Sequence, residues 1–307
     1  MTEDPMRGRM MAEKALRDAM MALKGKTFES DDEANAFLNA ALMGGAPPKE
    51  PETAREAAED LMYTAWETED PGRRVSIALE ALEISEDCAD AWTLLAEDGS
   101  SDIDEAIVFA TKAVAAGKRA LGPGIFEEEA GNFWMVLETR PYMRAMITLA
   151  GYLWGAGRVG EAVEIYREML RLNPNDNQGV RDIVAMDFAE GDQDEFFGEV
   201  LEMYDEDPFA TMAYGRALWL FRRDGPSPEA DHALEEAFER NRHVPNYLLG
   251  RRTLPAKQSA YYSLGDTDEA IMYADRAQQG WEMSEGALEW LARQKGGSKK
   301  KKKKKKR

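Results

Sequence analysis

The chain has 307 residues, of which 44% are apolar and 9% aromatic, so it is long enough to bury a substantial core. It carries 39 Lys and Arg against 58 Asp and Glu, and the last nine residues are all cations, which leaves residues 1–298 with a net charge of −28. That acidic body should repel nucleic acids and anionic membranes. One cysteine and two histidines exclude a disulfide framework and argue against a Cys/His zinc site.

No uncharged apolar stretch reaches the roughly 18 residues needed to cross a bilayer, and the first ten residues, MTEDPMRGRM, contain no apolar signal segment. We therefore expect a cytoplasmic protein without a membrane role. Phosphate-binding glycine loops, nucleophile elbows and the H-E-x-x-H metal motif are absent from the sequence. No catalytic residue, cofactor or metal ligand is expected.

The first 46 residues predict an N-terminal helical extension. Residues 10–24 are strong helix formers with a methionine stripe on one face, which favours helix packing over a partner groove. Ser30 and Glu33 have the spacing of a capping box before a second helix. After the Gly- and Pro-rich stretch at 44–51, a further helix is predicted from about Glu52 to Trp66.

A 34-residue period governs the middle of the chain. Gly157, Gly191 and Gly225 are 34 residues apart, and Pro174 and Pro208 repeat the same spacing. This period predicts paired antiparallel helices over at least residues 143–240, with small residues allowing close approach within each pair. Two helices of this length cannot bury their apolar faces alone, so we expect the pairs to stack.

Residues 118–141 interrupt this rhythm and are interpreted as an insert. Phe126, Phe133 and Trp134 are too apolar for a free loop, so the insert is expected to pack against the stack and to lengthen a helix. A functional loop and a purely structural filler remain open alternatives. We delimit residues 1–46 as the extension, 47–294 as the repeat region with this insert, and 295–307 as a disordered polybasic tail.

Several segments carry a family resemblance. ALEISEDCADAWTLLAED, DIDEAIVFATKAVAAGKRALG, FWMVLETRPYMRA, LRLNPNDNQGVR and RNRHVPNYLLGRRTLP resemble bacterial tetratricopeptide-repeat proteins similar to the suppressor of tumorigenicity seven family. The resemblance covers roughly residues 55–291 and implies a helical repeat fold without an assigned reaction. Some bacterial relatives end in a cysteine-rich metal motif, but no cysteine follows Cys88 here, so no zinc is carried over.

In tetratricopeptide arrays the first helix of each pair lines a concave groove. Arginines and large aromatics recur at the register positions that face this groove, a combination enriched in binding hot spots. The alternative is that the aromatics pack against neighbouring helices. The predicted partner-binding residues are Arg144, Trp154, Arg181, Phe188, Trp219 and Arg222.

The lysine tail leaves three interpretations open: a linker-like addition, an internal counter-charge for the acidic body, or an arm that binds phosphate backbones such as ribosomal RNA. Without interleaved aromatics it should not read base sequence. The candidate polyanion-binding residues are Lys299, Lys300, Lys301, Lys302, Lys303, Lys304, Lys305, Lys306 and Arg307.

The sequence thus predicts an all-α, tetratricopeptide-type helical-hairpin solenoid with an N-terminal helical extension and a disordered lysine tail. The expected function is a non-enzymatic scaffold that binds a protein or peptide partner in the groove. The alternative is an RNA- or ribosome-associated accessory factor tethered by the tail.

Overall fold

The computed structural model describes residues 5–45, 50–259 and 261–304. Over these residues the fold is all-α, with sixteen α-helices and no β-strand. Many of the helices pack in pairs, so the all-α solenoid class expected from the sequence is confirmed. The chain divides into two compact units, Met1–Asn177 (unit 1) and Gln178–Arg307 (unit 2). The boundaries predicted from the sequence stay a prediction.

Unit 1 begins with two helices outside the paired stack. The helices of unit 1 are α1 Pro5–Leu23, α2 Asp31–Ala40, α3 Ala54–Glu67, α4 Pro71–Ile84, α5 Ala89–Leu94, α6 Ile103–Leu121, α7 Ile125–Glu128, α8 Arg140–Gly155 and α9 Val159–Leu172. The pairs are α3–α4, α5–α6 and α8–α9, and the first helices of these pairs (α3, α5 and α8) contact one another in sequence order. Single π-helical turns follow α2 and α5.

The predicted cap at Ser30 and Glu33 forms through the Ser30 hydroxyl, and a second cap, which was not predicted from the sequence, forms at Thr53 and Glu56. The Ser30 hydroxyl accepts a hydrogen bond from the backbone N–H of Glu33 at the start of α2. Thr53 and Glu56 form a full capping box at the start of α3. Such caps satisfy backbone donors that have no partner within the helix, so they fix where these two helices begin.

The glycines of the 34-residue period lie in the turns between paired helices. Gly157 separates α8 from α9, and Gly225 follows the helix Ala210–Asp224. Both glycines have a positive φ, which glycine adopts without strain. In the turn that contains Gly191 the left-handed residue is Asp192 instead. Ala150 and Ala162 are fully buried, which allows α8 and α9 to approach closely.

The insert packs as predicted. It lengthens α6 to Leu121 and continues through α7 and two 3-10 turns, Phe133–Met135 and Leu137–Thr139. The Phe133 ring is completely buried, and its centroid lies 5.2 Å from that of Phe126. The segment is therefore part of the core of unit 1 and positions the start of α8.

Cys88 lies at the N-cap position of α5 and belongs to the hydrophobic core formed with α3 and α4. Its thiol is fully buried and is not in a disulfide. Burial raises the pKa of this thiol, and the nearby Asp90 carboxylate raises it further. A structural role, as expected from the sequence, fits this environment.

Unit 2 has seven helices: α10 Val180–Asp187, α11 Asp194–Met203, α12 Ala210–Asp224, α13 Pro228–Arg240, α14 Val244–Leu248, α15 Thr267–Met283 and α16 Ala287–Lys304. Among them α10, α12 and α15 contact one another, as the first helices of unit 1 do. Helix α12 approaches α10 closely at Gly215, where a Cβ would lie 3.2 Å from the Ala185 carbonyl, and the Phe197 ring of α11 would lie 2.8 Å from the same Cβ.

A buried polar network holds α12, α13 and α15 together. The Glu269 carboxylate is 1% exposed and accepts hydrogen bonds from the backbone N–H of Ala210 (3.0 Å), the backbone N–H of Gly265 (2.8 Å) and the Asn241 side-chain amide (2.8 Å). The Asn241 carbonyl accepts the Tyr214 hydroxyl at 2.6 Å. Glu269 thereby caps the N-terminus of α12 from a different helix.

The structure differs from the sequence prediction in the tail. Helix α16 starts on buried residues, including Ala287 and Leu291, and continues as far as Lys304, so the backbone of 295–304 is helical rather than disordered. Lysine is a good helix former, and an already nucleated helix extends one residue at a time. Residues 305–307 lie outside the described residues.

Candidate functional site

The six predicted partner-binding residues fall in both units. Arg144 and Trp154 lie on α8 in unit 1, whereas Trp219 and Arg222 lie on α12 in unit 2. Arg181 is in α10, and Phe188 is the residue that ends it. All six therefore belong to first helices or their ends, as the register predicted.

Arg144 is held by carboxylates of its own chain. Its Nε and Nη2 atoms donate to the two carboxylate oxygens of Asp90, each at 2.8 Å, and Nη1 donates to Glu13 at 2.9 Å. The guanidinium also lies 5.5 Å from the Trp66 ring centroid. Burial would lower the pKa of Arg144, but the Asp90 and Glu13 carboxylates raise it well above its ordinary value. The side chain is a fixed cation.

The arginines of unit 2 are paired in the same manner. Arg181 binds Asp207 at 2.7 Å and lies 5.2 Å from the Tyr204 ring centroid. Arg222 binds Asp194 through two nitrogens, with Nη2 at 2.7 Å. The hydrogen bonds that the Arg222 guanidinium donates to Asp194 raise the pKa of Arg222 in spite of its partial burial. These arginines therefore stabilise the helix stack, whatever else they bind.

Phe188 is a core residue, which corrects its assignment as a groove contact. It is 1% exposed and stacks on Phe197 with ring centroids 4.3 Å apart. The reason is that α10 has only eight residues and ends just before Phe188. A longer helix would place the Phe188 side chain on its outward face, but here the side chain packs against α11.

The two predicted tryptophans are partly exposed. Trp219 donates its indole N–H to the Asp194 carbonyl at 2.7 Å, and Arg223 lies over its ring at 4.8 Å. Trp154 packs against Tyr166 of the paired helix at 6.3 Å. Of the predicted aromatics, these two keep surface that a partner could cover.

Sequence reasoning missed that α1 lies against α3 and α8. Glu13 of α1 binds both Arg144 and Arg140, the latter at 3.2 Å. One turn further along α1, Arg17 binds Asp60 at 2.5 Å and lies 5.3 Å from the Tyr63 ring centroid. We define the α1 seat as the four residues that contact Glu13 or Arg17, together with Asp90, which holds Arg144 in place: Asp60, Tyr63, Asp90, Arg140 and Arg144.

A cleft of about 540 Å³ remains between α1 and its surroundings. Its walls combine apolar side chains, such as Met21 and Leu137, with charged groups, among them Arg55 and Glu59. No group of three or more His, Cys, Asp or Glu side chains is placed to hold a metal ion anywhere in residues 5–45, 50–259 and 261–304. The cleft is suited to side chains of a packed segment.

Glu59 in this cleft should make stability depend on pH. Burial raises the pKa of its carboxyl, although Arg55 at 3.0 Å and Arg17 oppose this. Because the pKa of Glu59 is higher in the folded than in the unfolded state, the folded state binds this proton more tightly. The free energy of unfolding therefore increases as the pH falls through the folded-state pKa towards the unfolded-state pKa of about 4.3. Urea denaturation measures the free energy of unfolding of Glu59→Gln minus that of wild type. We expect this difference to be more positive at about pH 7 than at about pH 4. A constant difference would contradict this.

Comparisons with known proteins find one family model and a set of relatives similar to this chain. The family model described as ST7 protein matches residues 50–173. The suppressor of tumorigenicity 7 protein-like of Bos taurus is 29% identical over 262 residues, which is 76% of this chain and 46% of that protein. The human protein of the same description is 28% identical over 264 residues, covering 76% and 44%. The protein ST7 homolog of Drosophila melanogaster is 27% identical over 274 residues, covering 78% and 48%.

The chain is similar to the ST7 protein family. It spans less than half the length of these relatives. The residues matched by the ST7 model run from before α3 to the end of α9 and include the whole α1 seat, whereas α1 lies before them. In the described residues no helix has the length and apolar character required to cross a membrane.

Proposed function

We propose that this chain is a non-enzymatic interaction scaffold of the tetratricopeptide type, in which the first helices bind a segment of a partner protein. The observation that carries the proposal is the seating of α1. A helix from outside the paired stack lies on first helix α8 through the Glu13 carboxylate, which two arginines share, and on first helix α3 through the Arg17–Asp60 ion pair. A surface built in this manner is suited to helical segments of other proteins.

Trp219 is the residue of choice for testing a bound partner in unit 2. It offers a partly exposed indole beside a cation, the type of side chain that dominates binding energies. Trp92 provides a matched control, because its indole also donates to a backbone carbonyl, that of Glu86, and a cation, Lys112, also lies over its ring. Trp92 differs from Trp219 in lying in unit 1, where it packs against Phe109 of the paired helix α6.

The experiment is quantitative affinity purification of the full chain from its source cell. A partner bound at unit 2 should be recovered at least about tenfold less with Trp219→Ala, which corresponds to a loss of about 1.4 kcal/mol, and equally well with Trp92→Ala. Circular dichroism establishes that both variants are folded. Partner recovery that is the same for wild type and Trp219→Ala would contradict the scaffold proposal.

The alternative proposal is an accessory factor tethered to RNA or ribosomes by the tail. It is favoured by the continuation of α16 to Lys304, which extends a helix into the lysine run. Under this proposal, deletion of residues 299–307 abolishes an association that weakens steeply between about 50 and 200 mM salt. A partner bound by the first helices is retained on this deletion.

A further inference from the structure

The contact between α1 and its seat is dominated by charge. Of residues 8–23 only Met10 and Ala19 are buried, and the two long polar side chains Glu13 and Arg17 make the cross-helix ion pairs. Their side chains are only 10% and 13% exposed, so the Glu13 pairs are shielded from solvent, whereas Asp60, the partner of Arg17, is 38% exposed. The helix is held by specific polar contacts more than by a large apolar area.

The fit of α1 to this surface is incomplete. The Arg17 Nη1 atom is buried and has no hydrogen-bond partner among the described residues, a costly arrangement for a charged group. The cleft of about 540 Å³ lies beside it. Met20, near the end of the same helix, is 47% exposed. An occupant with bulkier side chains along this face would bury more surface than α1 does.

The seat selects a particular pattern of side chains. Glu13 and Arg17 are four residues apart and therefore lie on one face of α1, with Met10 one turn before them. The acidic position faces Arg140 and Arg144, and the basic position faces Asp60 and the Tyr63 ring. The preferred occupant is an amphipathic helix with an apolar residue, a carboxylate and a cation at successive turns.

We propose that the α1 seat is a helix-binding surface, that α1 is its reversible occupant, and that a partner helix of this charge pattern takes its place. The inference rests on the proposed scaffold function and specifies one of its sites. Residues 24–53 connect α1 to α3, so α1 competes as a tethered segment at an effective concentration of the order of millimolar. A partner must therefore bind better than α1, which the unfilled cleft permits.

The test uses the full chain and a synthetic peptide of residues 5–23 with a fluorescent label. Glu13→Arg in the chain places a cation against Arg140 and Arg144, so α1 should leave the seat while the seat itself is unaltered. We expect the wild-type peptide to bind the Glu13→Arg chain at least about tenfold more tightly than the wild-type chain, since the tethered competitor is weakened. Fluorescence anisotropy measures both affinities.

Three controls define the site. Glu83→Arg makes the same charge change at an exposed position of α4 and should leave peptide binding as in wild type. A peptide that carries the Glu13→Arg change should not bind any of the chains. Hydrogen exchange of the amides in residues 10–23 should become faster in the Glu13→Arg chain and stay as in wild type in the Glu83→Arg chain.

Arg17→Ala supplies a second route to release if Glu13→Arg fails to fold, because it removes the contact with Asp60 without a charge reversal. Equal peptide affinity for wild-type and released chains, or no binding to a chain whose α1 amides have become exposed, would overturn the inference. So would unchanged amide protection in both variants. None of these results affects partner recovery through Trp219, so the scaffold proposal is judged separately.

Discussion

Replacing Arg144 with alanine is expected to lower the free energy of unfolding of unit 1 by about 3 to 5 kcal/mol. The substitution leaves the Asp90 carboxylate, 5% exposed, without its cation, whereas the Glu13 carboxylate keeps Arg140 as its remaining partner. A buried carboxylate without a partner loses its hydration and gains little in return. Urea denaturation, combined with hydrogen exchange of amides in α5 and α8, measures the loss.

Two further variants separate charge from packing in this prediction. Arg144→Met keeps most of the side-chain volume against Trp66 but not the charge, so it should be nearly as destabilising as Arg144→Ala. Arg144→Met combined with Asp90→Asn removes the stranded charge and should recover part of the loss. A cost below about 1 kcal/mol for Arg144→Ala, as for an exposed ion pair, would contradict the described environment.

Replacing Glu269 with alanine is expected to destabilise unit 2 by about 3 kcal/mol or more. Three donors lose the Glu269 acceptor together: the buried backbone N–H of Ala210, the partly buried backbone N–H of Gly265 and the Asn241 side-chain amide, which keeps the Asp266 carbonyl as an acceptor. The first of these leaves the N-terminus of α12 without its cap. The effect is read from the midpoint and slope of chemical denaturation.

Glu282→Ala is the matched control for Glu269. Both residues lie on α15, but Glu282 is exposed, so its removal should change stability by no more than about 0.5 kcal/mol. Glu269→Gln should fall between the two, because one oxygen remains as an acceptor while the other is replaced by a donor. Similar stabilities for Glu269→Ala and Glu282→Ala would show that water replaces the missing carboxylate.

The helix pairs could be predicted because their signals are local. Gly157 and Gly225 belong to the 34-residue period, which is visible in the sequence itself and marks the turns. Ser30 with Glu33 is a capping signal contained within four residues. The insert could be predicted from the same kind of evidence, since Phe133 is too apolar for an exposed loop. Burial of small and aromatic side chains at such positions follows from helix geometry alone.

The partners of the arginines could not be predicted in this manner. Arg144 meets Glu13 across 131 positions and Asp90 across 54, and no periodic pattern encodes such a pairing. Yet both arginines of the α1 seat lie in FWMVLETRPYMRA, and Asn241 lies in RNRHVPNYLLGRRTLP, two of the segments that carried the family resemblance. The prediction for Phe188 was wrong for a different reason. The 34-residue register assumes a first helix of full length, whereas α10 has only eight residues.

The position of Cys88 gives this chain a native chemical reporter. It is the single cysteine of the sequence, fully buried at the junction of α3, α4 and α5, and its raised pKa keeps it as the thiol. A thiol in this state reacts with alkylating reagents only when the surrounding helices separate. The rate at which Cys88 is alkylated therefore measures how often the core of unit 1 opens, without any introduced label.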